Sequence, residues 1–408
     1  MVPFIILLSS LLFLLKSYKK AIIVITILGV FIDGFFIGGI SVYSYLSLLA
    51  LFLLPFHFKN VNIKLYPFLF PSILLFSSLL LTELILESNH FPSVIMRTVS
   101  NVAFPFLIWV ILKYDSNKNL QYFLKVSLWV ALIISLYSFF ECISKSNPFV
   151  DQMSKWGVYP YSYDLQMRFG LKRTYTFFTM HITNGAVSLG LFLILLYAKQ
   201  NFFLKGRNIY IILILLVINI FATGSRAIIL SFMVFLLFFL FQYFKLSVLF
   251  KTCIIGIFLF SILGTYIDTI IGSFLNTDSV EGSNIDMREE QINLALYFLY
   301  KSFWFGNGIG SIGYVLTNYR EMMGAESIWI PVMVEQGMLG IISIASIFIF
   351  SIMYVFKQQF FSLIWIPIGF LILFTMTSVP NCQPTCIWTI IVVLSTIHKQ
   401  VKKIHGRN

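Results

Sequence analysis

Two arginines and two glutamates occupy settings in which their charges could bind an anion or accept a proton. Arg226 follows a Thr-Gly-Ser turn between two apolar runs, and Arg288 lies in a polar segment. Glu326 opens a long apolar run, and Glu335 lies nine residues further along it. A guanidinium binds phosphate oxygens through its planar fork and stays charged when partly buried, and a carboxylate can accept a hydroxyl proton. These residue types suit a site for an anionic group.

Each of these residues also has a purely structural interpretation. Arg226 could extend its charge to a membrane interface, and Arg288 could be a solvated charge paired with Glu289 or with the residue three positions further on. Glu326 could interact with the positive end of a helix dipole. Glu335 could make a structural hydrogen bond, in its neutral form if it is buried.

The composition predicts an all-α polytopic membrane protein. Hydrophobic residues make up 59% of the 408 residues, charged residues 11%, and the mean hydropathy is +0.91, whereas a soluble chain has about 25% charged residues. The apolar run 2–15 lacks the features of a cleavable signal peptide and is expected to be a retained span. A span needs about 20 apolar residues, and the candidates are 2–15, 21–38, 40–56, 67–86, 93–112, 121–144, 182–198, 208–222, 226–244, 250–271, 327–356, 360–379 and 385–397. We expect about 12 transmembrane helices, within a range of about 11 to 13.

The basic residues predict the orientation of these spans. With the C-terminal tail in the cytoplasm, 18 Lys and Arg residues fall inside and 10 outside, and of the acidic residues only Asp115 falls inside. This asymmetry follows the positive-inside rule, so the net charge of +12 reflects topology and contact with anionic inner-membrane lipids. A nucleic-acid partner is not expected, because the chain has no basic soluble domain.

Two long polar stretches, 145–181 and 272–325, fall on the outer side in this topology. The chain therefore divides into an N-terminal bundle (1–144), a region with the first outer loop (145–271), the large outer loop (272–325) and C-terminal helices with a basic tail (326–408). The large loop contains an amphipathic stretch, Ile292–Trp304, that predicts a helix in the interface plane. The glycine-rich run 305–310 after it predicts a tight turn, since no preceding strand supports a phosphate-binding loop.

Ionisable residues within the spans all fall in the outer halves of those spans. A charge at bilayer depth costs about 2.5–3.5 kcal/mol, so such residues usually line a cavity or form pairs. This one-sided distribution favours a membrane enzyme open to the periplasm over a transporter, whose coupling residues lie near the midplane. The residues are Asp33, Glu83, Arg97, Glu141, Arg226, Asp268, Glu326 and Glu335.

The four cysteines do not indicate a disulfide framework, and no Cys/His cluster has zinc spacing. Cys382 and Cys386 could pair in an oxidising periplasm or remain buried thiols.

The order of motifs over residues 165–345 resembles the O-antigen polymerase and O-antigen ligase superfamily. The motifs are His181–Asn184–Gly185 before a span, Ser-Arg-Ala at Arg226, the glycine-rich run after Arg288, and a helix that opens at Glu326 and continues through Glu335 to glycines. The resemblance implies a GT-C-like arrangement of helices. It also implies glycosyl transfer from an undecaprenyl-pyrophosphate-linked oligosaccharide, with no cofactor, nucleotide sugar or metal.

The resemblance further implies roles for individual residues. Arg226 and Arg288, with Arg173 in the first loop, would bind the donor pyrophosphate, and Glu326 would be the catalytic base. His181, Asn184 and Glu335 are secondary candidates. Many ligases of the family carry His at the position of Glu326, and this departure favours a polymerase over a ligase.

Three functions remain open from the sequence. The preferred one is a polymerase that joins O-antigen repeat units, with a partner protein that regulates chain length. The nearest alternative is the ligase that transfers the polysaccharide to lipid A–core. A flippase of lipid-linked saccharides would have charges through the full depth of its cavity and short loops on both sides, which this sequence lacks.

Overall fold

The computed structural model of the chain describes residues 2–86, 91–155, 167–168, 171–178, 180–201, 203–204, 206, 208–242, 285–319, 327–377 and 384–405. Within these residues the α-helices are α1 (Val2–Lys16), α2 (Tyr18–Ile27), α3 (Gly29–Ile32), α4 (Val42–His57), α5 (Leu69–Leu86), α6 (Phe91–Tyr114), α7 (Ser116–Ser144), α8 (Pro148–Lys155), α9 (His181–Gln200), α10 (Asn208–Ala222), α11 (Arg226–Gln242), α12 (Ile285–Lys301), α13 (Ser311–Asn318), α14 (Trp329–Lys357), α15 (Trp365–Met376) and α16 (Cys386–His405). Two antiparallel hairpins add β1 (Phe36–Ile37) with β2 (Ile40–Ser41), and β3 (Met167–Arg168) with β4 (Leu171–Lys172). Two short 3-10 turns span Ile63–Leu65 and Phe361–Leu363.

The helices support a multi-pass membrane protein. Four helices in the described part of the chain are long and apolar enough to cross a membrane: Leu69–Leu86, Asn117–Ser144, His181–Gln200 and Trp329–Lys357. Six shorter apolar helices accompany them: Val2–Lys16, Val42–His57, Thr98–Tyr114, Asn208–Ala222, Arg226–Phe239 and Phe361–Met376. The expected span 250–271 lies outside the described residues, and the total of about 12 spans stays a prediction.

The predicted span over residues 21–38 is wrong. α2 is only 10 residues long, the single turn α3 follows, and the β1–β2 hairpin occupies residues 36–41. Gly38 and Gly39 have φ angles of 59° and 79°, and two successive positive φ angles are what a tight hairpin turn requires. Phe36, Ile37 and Ile40 are apolar, so a hydropathy reading could not separate this hairpin from a continuous helix.

Apolar residues cover the outside of the bundle as well as its core. Phe52, Phe56 and Ile143 are each about 70% exposed, although their helices contribute other side chains to the core. Helices that are apolar on all sides belong in lipid or in a protein core. The main helix pairs are α4 with α6, α5 with α14, α7 with α10, α9 with α10, α11 with α15, α6 with α16 and α12 with α14.

α7 separates two polar ends of the bundle. With 29 residues it is about 43 Å long at 1.5 Å per residue, enough to cross the hydrocarbon core. At its start, Asp115 pairs with Lys19 at 2.9 Å, which brings two segments predicted to be cytoplasmic to the same end. At its other end Glu141 contacts the first predicted outer loop.

Candidate active site

A buried carboxylate fixes the segment 171–178 to the end of α7. Glu141 Oε1 lies 3.4 Å from Lys172 Nζ, and neither side chain has any exposed surface. Glu141 Oε2 accepts hydrogen bonds from the backbone N–H groups of Tyr175 and Thr176 at 3.0 and 2.8 Å. Burial lowers the pKa of Lys172, and the neighbouring Glu141 carboxylate opposes this shift. A buried charge is tolerated when it is paired and hydrogen-bonded, so this carboxylate holds the segment at three points.

Asn147 holds the same segment from the junction of α7 and α8. Its Nδ2 donates to the carbonyl of Thr176 at 2.7 Å, and its Oδ1 accepts from Tyr137 Oη at 3.0 Å and from the N–H of Val150 at 3.1 Å. Thr176 has a φ of 53°, a value that a β-branched residue rarely adopts. The surrounding hydrogen bonds hold this residue in its strained conformation and so fix the course of the loop.

Arg173 and His181, both predicted site residues, are in direct contact. Arg173 Nη1 lies 3.1 Å from His181 Nε2. Because a guanidinium has only donors, His181 Nε2 must be the acceptor, which assigns the ring proton to Nδ1. The Tyr175 ring and the imidazole pack in a T-shaped arrangement, with 5.6 Å between ring centroids. In this arrangement His181 orients Arg173.

Asn184 belongs to a buried amide network. Asn184 and Asn219 exchange hydrogen bonds of 3.1 Å in both directions. Asn184 Nδ2 also donates to the carbonyl of Thr174 at 3.1 Å, and its Oδ1 accepts from Thr176 Oγ1 at 3.2 Å. Asn219 Nδ2 donates further to Ser188 Oγ at 2.8 Å. The structure therefore uses both the donor and the acceptor of Asn184 to join α9, α10 and the segment 171–178.

Arg226 begins α11 at the turn that follows α10. The turn places Gly224 at a φ of 61°, and Thr223 and Ser225 are buried. The backbone N–H of Thr174 donates to the carbonyl of Ala222 at 3.2 Å, so the segment that carries Arg173 lies beside this turn. Only 9% of the Arg226 surface is exposed, whereas an arginine that extends to an interface keeps its head group in water. The burial favours a role for Arg226 inside the protein.

The glycine-rich run 305–310 is the tight turn that the sequence predicts, and it docks on a break in α14. The break is at Gly337, where φ is 62°. A Cβ on Gly306 would lie 2.4 Å from the backbone of Glu335, so only glycine permits this approach. The backbone N–H groups of Asn307 and Gly308 donate to the carbonyls of Val334 and Glu335 at 2.8 and 3.1 Å.

Glu335 makes a structural hydrogen bond, but its side chain is half-buried and not buried as expected. Its Oε1 accepts from the backbone N–H of Gly310 at 2.9 Å, at the end of the glycine-rich turn. This bond ties the start of α13 to α14, so Glu335 helps to fix the loop that follows α12.

Arg288 lies on α12, half-buried, next to the exposed Glu289 and Glu290. α12 begins at Ile285, seven residues before the predicted amphipathic stretch, and packs on α14 through Ala295 and Phe298. Glu326, the predicted base, and Asp268 lie outside the described residues, as does the side chain of Arg97.

Part of the chain matches a known protein family. Residues 211–345 match a family model described as O-antigen ligase. This stretch begins within α10, ends in α14 and contains Arg226, Arg288, Glu326 and Glu335. No curated protein matches the chain. The match supports a relationship to the O-antigen ligase and polymerase superfamily, and hence a membrane enzyme of O-antigen ligation or polymerisation.

Several residues that build the site were not predicted from the sequence. The sequence marked Glu141 as buried, but it did not identify Lys172 as its partner. Asn219 was also missed, although a lone amide within the apolar run of α10 is a recognisable signal for a hydrogen bond between helices. Asn147 has no such signal, because it lies in a polar loop.

Proposed function

We propose that the protein is an inverting, metal-independent glycosyltransferase that polymerises undecaprenyl-pyrophosphate-linked O-antigen repeat units at the periplasmic face of the inner membrane. This proposal rests on one observation: the segment with Arg173 and the turn before Arg226 lie next to each other at one end of the bundle. The loop with Arg173 is bonded to the end of α10, and the buried Arg226 lies four residues beyond that bond. Arg226 also falls within the stretch that matches the O-antigen ligase family.

The proposed chemistry is a single displacement at the anomeric carbon of the lipid-linked donor. The acceptor hydroxyl oxygen forms the new glycosidic bond as the bond to the pyrophosphate breaks, and Glu326 takes the hydroxyl proton. The leaving group is already anionic at neutral pH, so it needs charge stabilisation more than protonation. Arg226, Arg288 and Arg173 would supply that stabilisation through charge-assisted hydrogen bonds.

The second candidate is the ligase that transfers finished polysaccharide to lipid A–core. The description of the matched family favours it, and the donor half of the site would be the same in both enzymes. The glutamate at position 326, where many ligases carry His, favours the polymerase.

A chromosomal deletion examined on a lipopolysaccharide gel separates these functions. A polymerase mutant should carry a single repeat unit on its core, and a plasmid copy should restore the ladder. Bare core with accumulated lipid-linked polymer would instead identify a ligase. An unchanged ladder would contradict both assignments.

A further inference from the structure

A polar cavity of about 700 Å³ lies at the opposite end of the bundle from Arg173. Its wall includes Lys113, two residues from Asp115 at the start of α7, so the length of α7 separates it from the Glu141–Lys172 pair. The volume falls in the range of about 300–1,000 Å³ that is typical of small-molecule sites.

Four lysines from four separate chain segments line this cavity. They are Lys64 in the 3-10 turn before α5, Lys113 in α6, Lys357 in α14 and Lys399 in α16. Among the described residues that line it there is no Asp or Glu. All four segments belong to the side that the positive-inside rule predicts to be cytoplasmic.

The helix dipole explains only part of the clustering of these four lysines. Lys113 and Lys357 lie in the last turns of their helices, where a cation interacts favourably with the helix dipole. Lys399 lies six residues before the end of α16 and beyond its apolar run. The Lys399 side chain is exposed, yet partial burial of its ammonium and the nearby Lys113 charge both lower its pKa. Bringing these like charges together costs free energy, which a bound anion would offset.

Two buried hydrogen-bond donors line the same cavity. The hydroxyl of Tyr66 and Nε2 of Gln400 are buried, and neither has a hydrogen-bond partner among the described residues. Tyr66 is only 4% exposed. A buried polar group that lacks a partner costs about 1–3 kcal/mol, so such groups usually serve a ligand or an ordered water. Both can donate, and an anion needs donors.

We propose that this cavity is a binding site for a phosphate group on the predicted cytoplasmic face, separate from the transferase site. The four ammonium groups supply the charge, and Tyr66 and Gln400 supply two directed hydrogen bonds. The phosphate is carried either by the headgroup of an anionic phospholipid or by a free phosphate ion.

Native mass spectrometry of the full-length protein in a neutral detergent tests this site. Phosphatidylglycerol is titrated into the wild type, the Lys64→Gln/Lys399→Gln double variant and a matched control, Lys16→Gln/Lys125→Gln. The control removes the same charge from exposed lysines on the same predicted face that do not line the cavity. Tyr66→Phe is a third variant, which leaves the charge unchanged. Inorganic phosphate is then added as a competitor.

The Lys64→Gln/Lys399→Gln variant should weaken binding of the tightest lipid at least about fivefold, because two charge-assisted contacts are lost. Tyr66→Phe should weaken it at least about threefold, and the control pair should have less than about a twofold effect. Retention of the lipid against phosphate identifies a headgroup site, and displacement by millimolar phosphate identifies a site for the free ion. If both lysine double variants lose the same lipid affinity and Tyr66→Phe binds normally, the lipid is held by diffuse surface charge. This result would overturn the proposal. Wild-type protein that binds neither probe would overturn it as well.

Discussion

Glu141 and Lys172 form an ion pair of 3.4 Å from which both solvent and lipid are excluded. The pair joins the end of α7 to the loop residue that directly precedes Arg173. Because the same carboxylate also accepts two backbone hydrogen bonds, the position of Arg173 depends on it.

Lys172→Met should therefore destabilise the protein by about 3–5 kcal/mol, because it leaves the Glu141 charge buried without a counter-charge. Glu141→Gln/Lys172→Met should recover much of this loss, since the amide oxygen can still accept the loop N–H groups without a charge. The unfolding temperature of the detergent-solubilised protein measures both effects. A Lys172→Met variant as stable as the wild type would show that the pair contributes little.

Two substitutions of His181 can show whether this residue positions Arg173 or acts as a base. His181→Gln keeps an acceptor for the guanidinium and should retain most of the polymerising activity. His181→Phe keeps the bulk but loses the acceptor and should lose most of it. The measurement is the O-antigen ladder at matched protein levels. A loss of about 10²–10⁴-fold in the Gln variant would indicate that His181 is a base.

Arg226→Ala and Arg288→Ala should each abolish polymerisation while the protein level in the membrane stays near normal. Each substitution removes a charge-assisted phosphate contact of about 1.5–3 kcal/mol. Lysine at either position should restore activity only partly, because it lacks the bidentate fork. Lys118→Ala, at an exposed position outside the site, serves as the control. Full activity in either alanine variant would remove that arginine from the donor site.

Glu326→Gln should keep the size of the side chain and lose about 10²–10⁴-fold in activity if Glu326 is the base. Glu326→His should retain activity, because an imidazole with a pKa near 6.5 is a competent base at neutral pH. If Glu326 only interacts with the helix dipole, the Gln variant should cost at most about 1 kcal/mol of stability. Normal ladders from Glu326→Gln would refute the base assignment and direct attention to other candidates.

Features of the fold that depend on a single stretch of chain could be predicted from the sequence. Composition and apolar run length indicated the helical membrane class, and the glycine spacing at 305–310 indicated a tight turn. The burial of Asp33, Glu83, Glu141 and Arg226 followed from the cost of a charge at bilayer depth. In each case a single stretch of chain contains the information.

The pairings between segments could not be predicted in this way. Glu141 and Lys172 are 31 residues apart, and Asn184 and Asn219 are 35 residues apart. A pattern of polar residues indicates that buried partners must exist, but helix packing decides which residues meet. The role of Asn184 is the clearest example, because the motif marked it as a site residue while the structure uses its amide to join helices.

Polymerisation by the purified protein can be measured in reconstituted vesicles. The substrate is the undecaprenyl-pyrophosphate-linked repeat unit alone, with a chelator present, no nucleotide sugar and no lipid A–core. We expect a ladder of lipid-linked products that differ by one repeat unit, formed by the wild type but not by Arg226→Ala. Extension that appears only after lipid A–core is added, and then as transfer to that acceptor, would contradict the polymerase assignment.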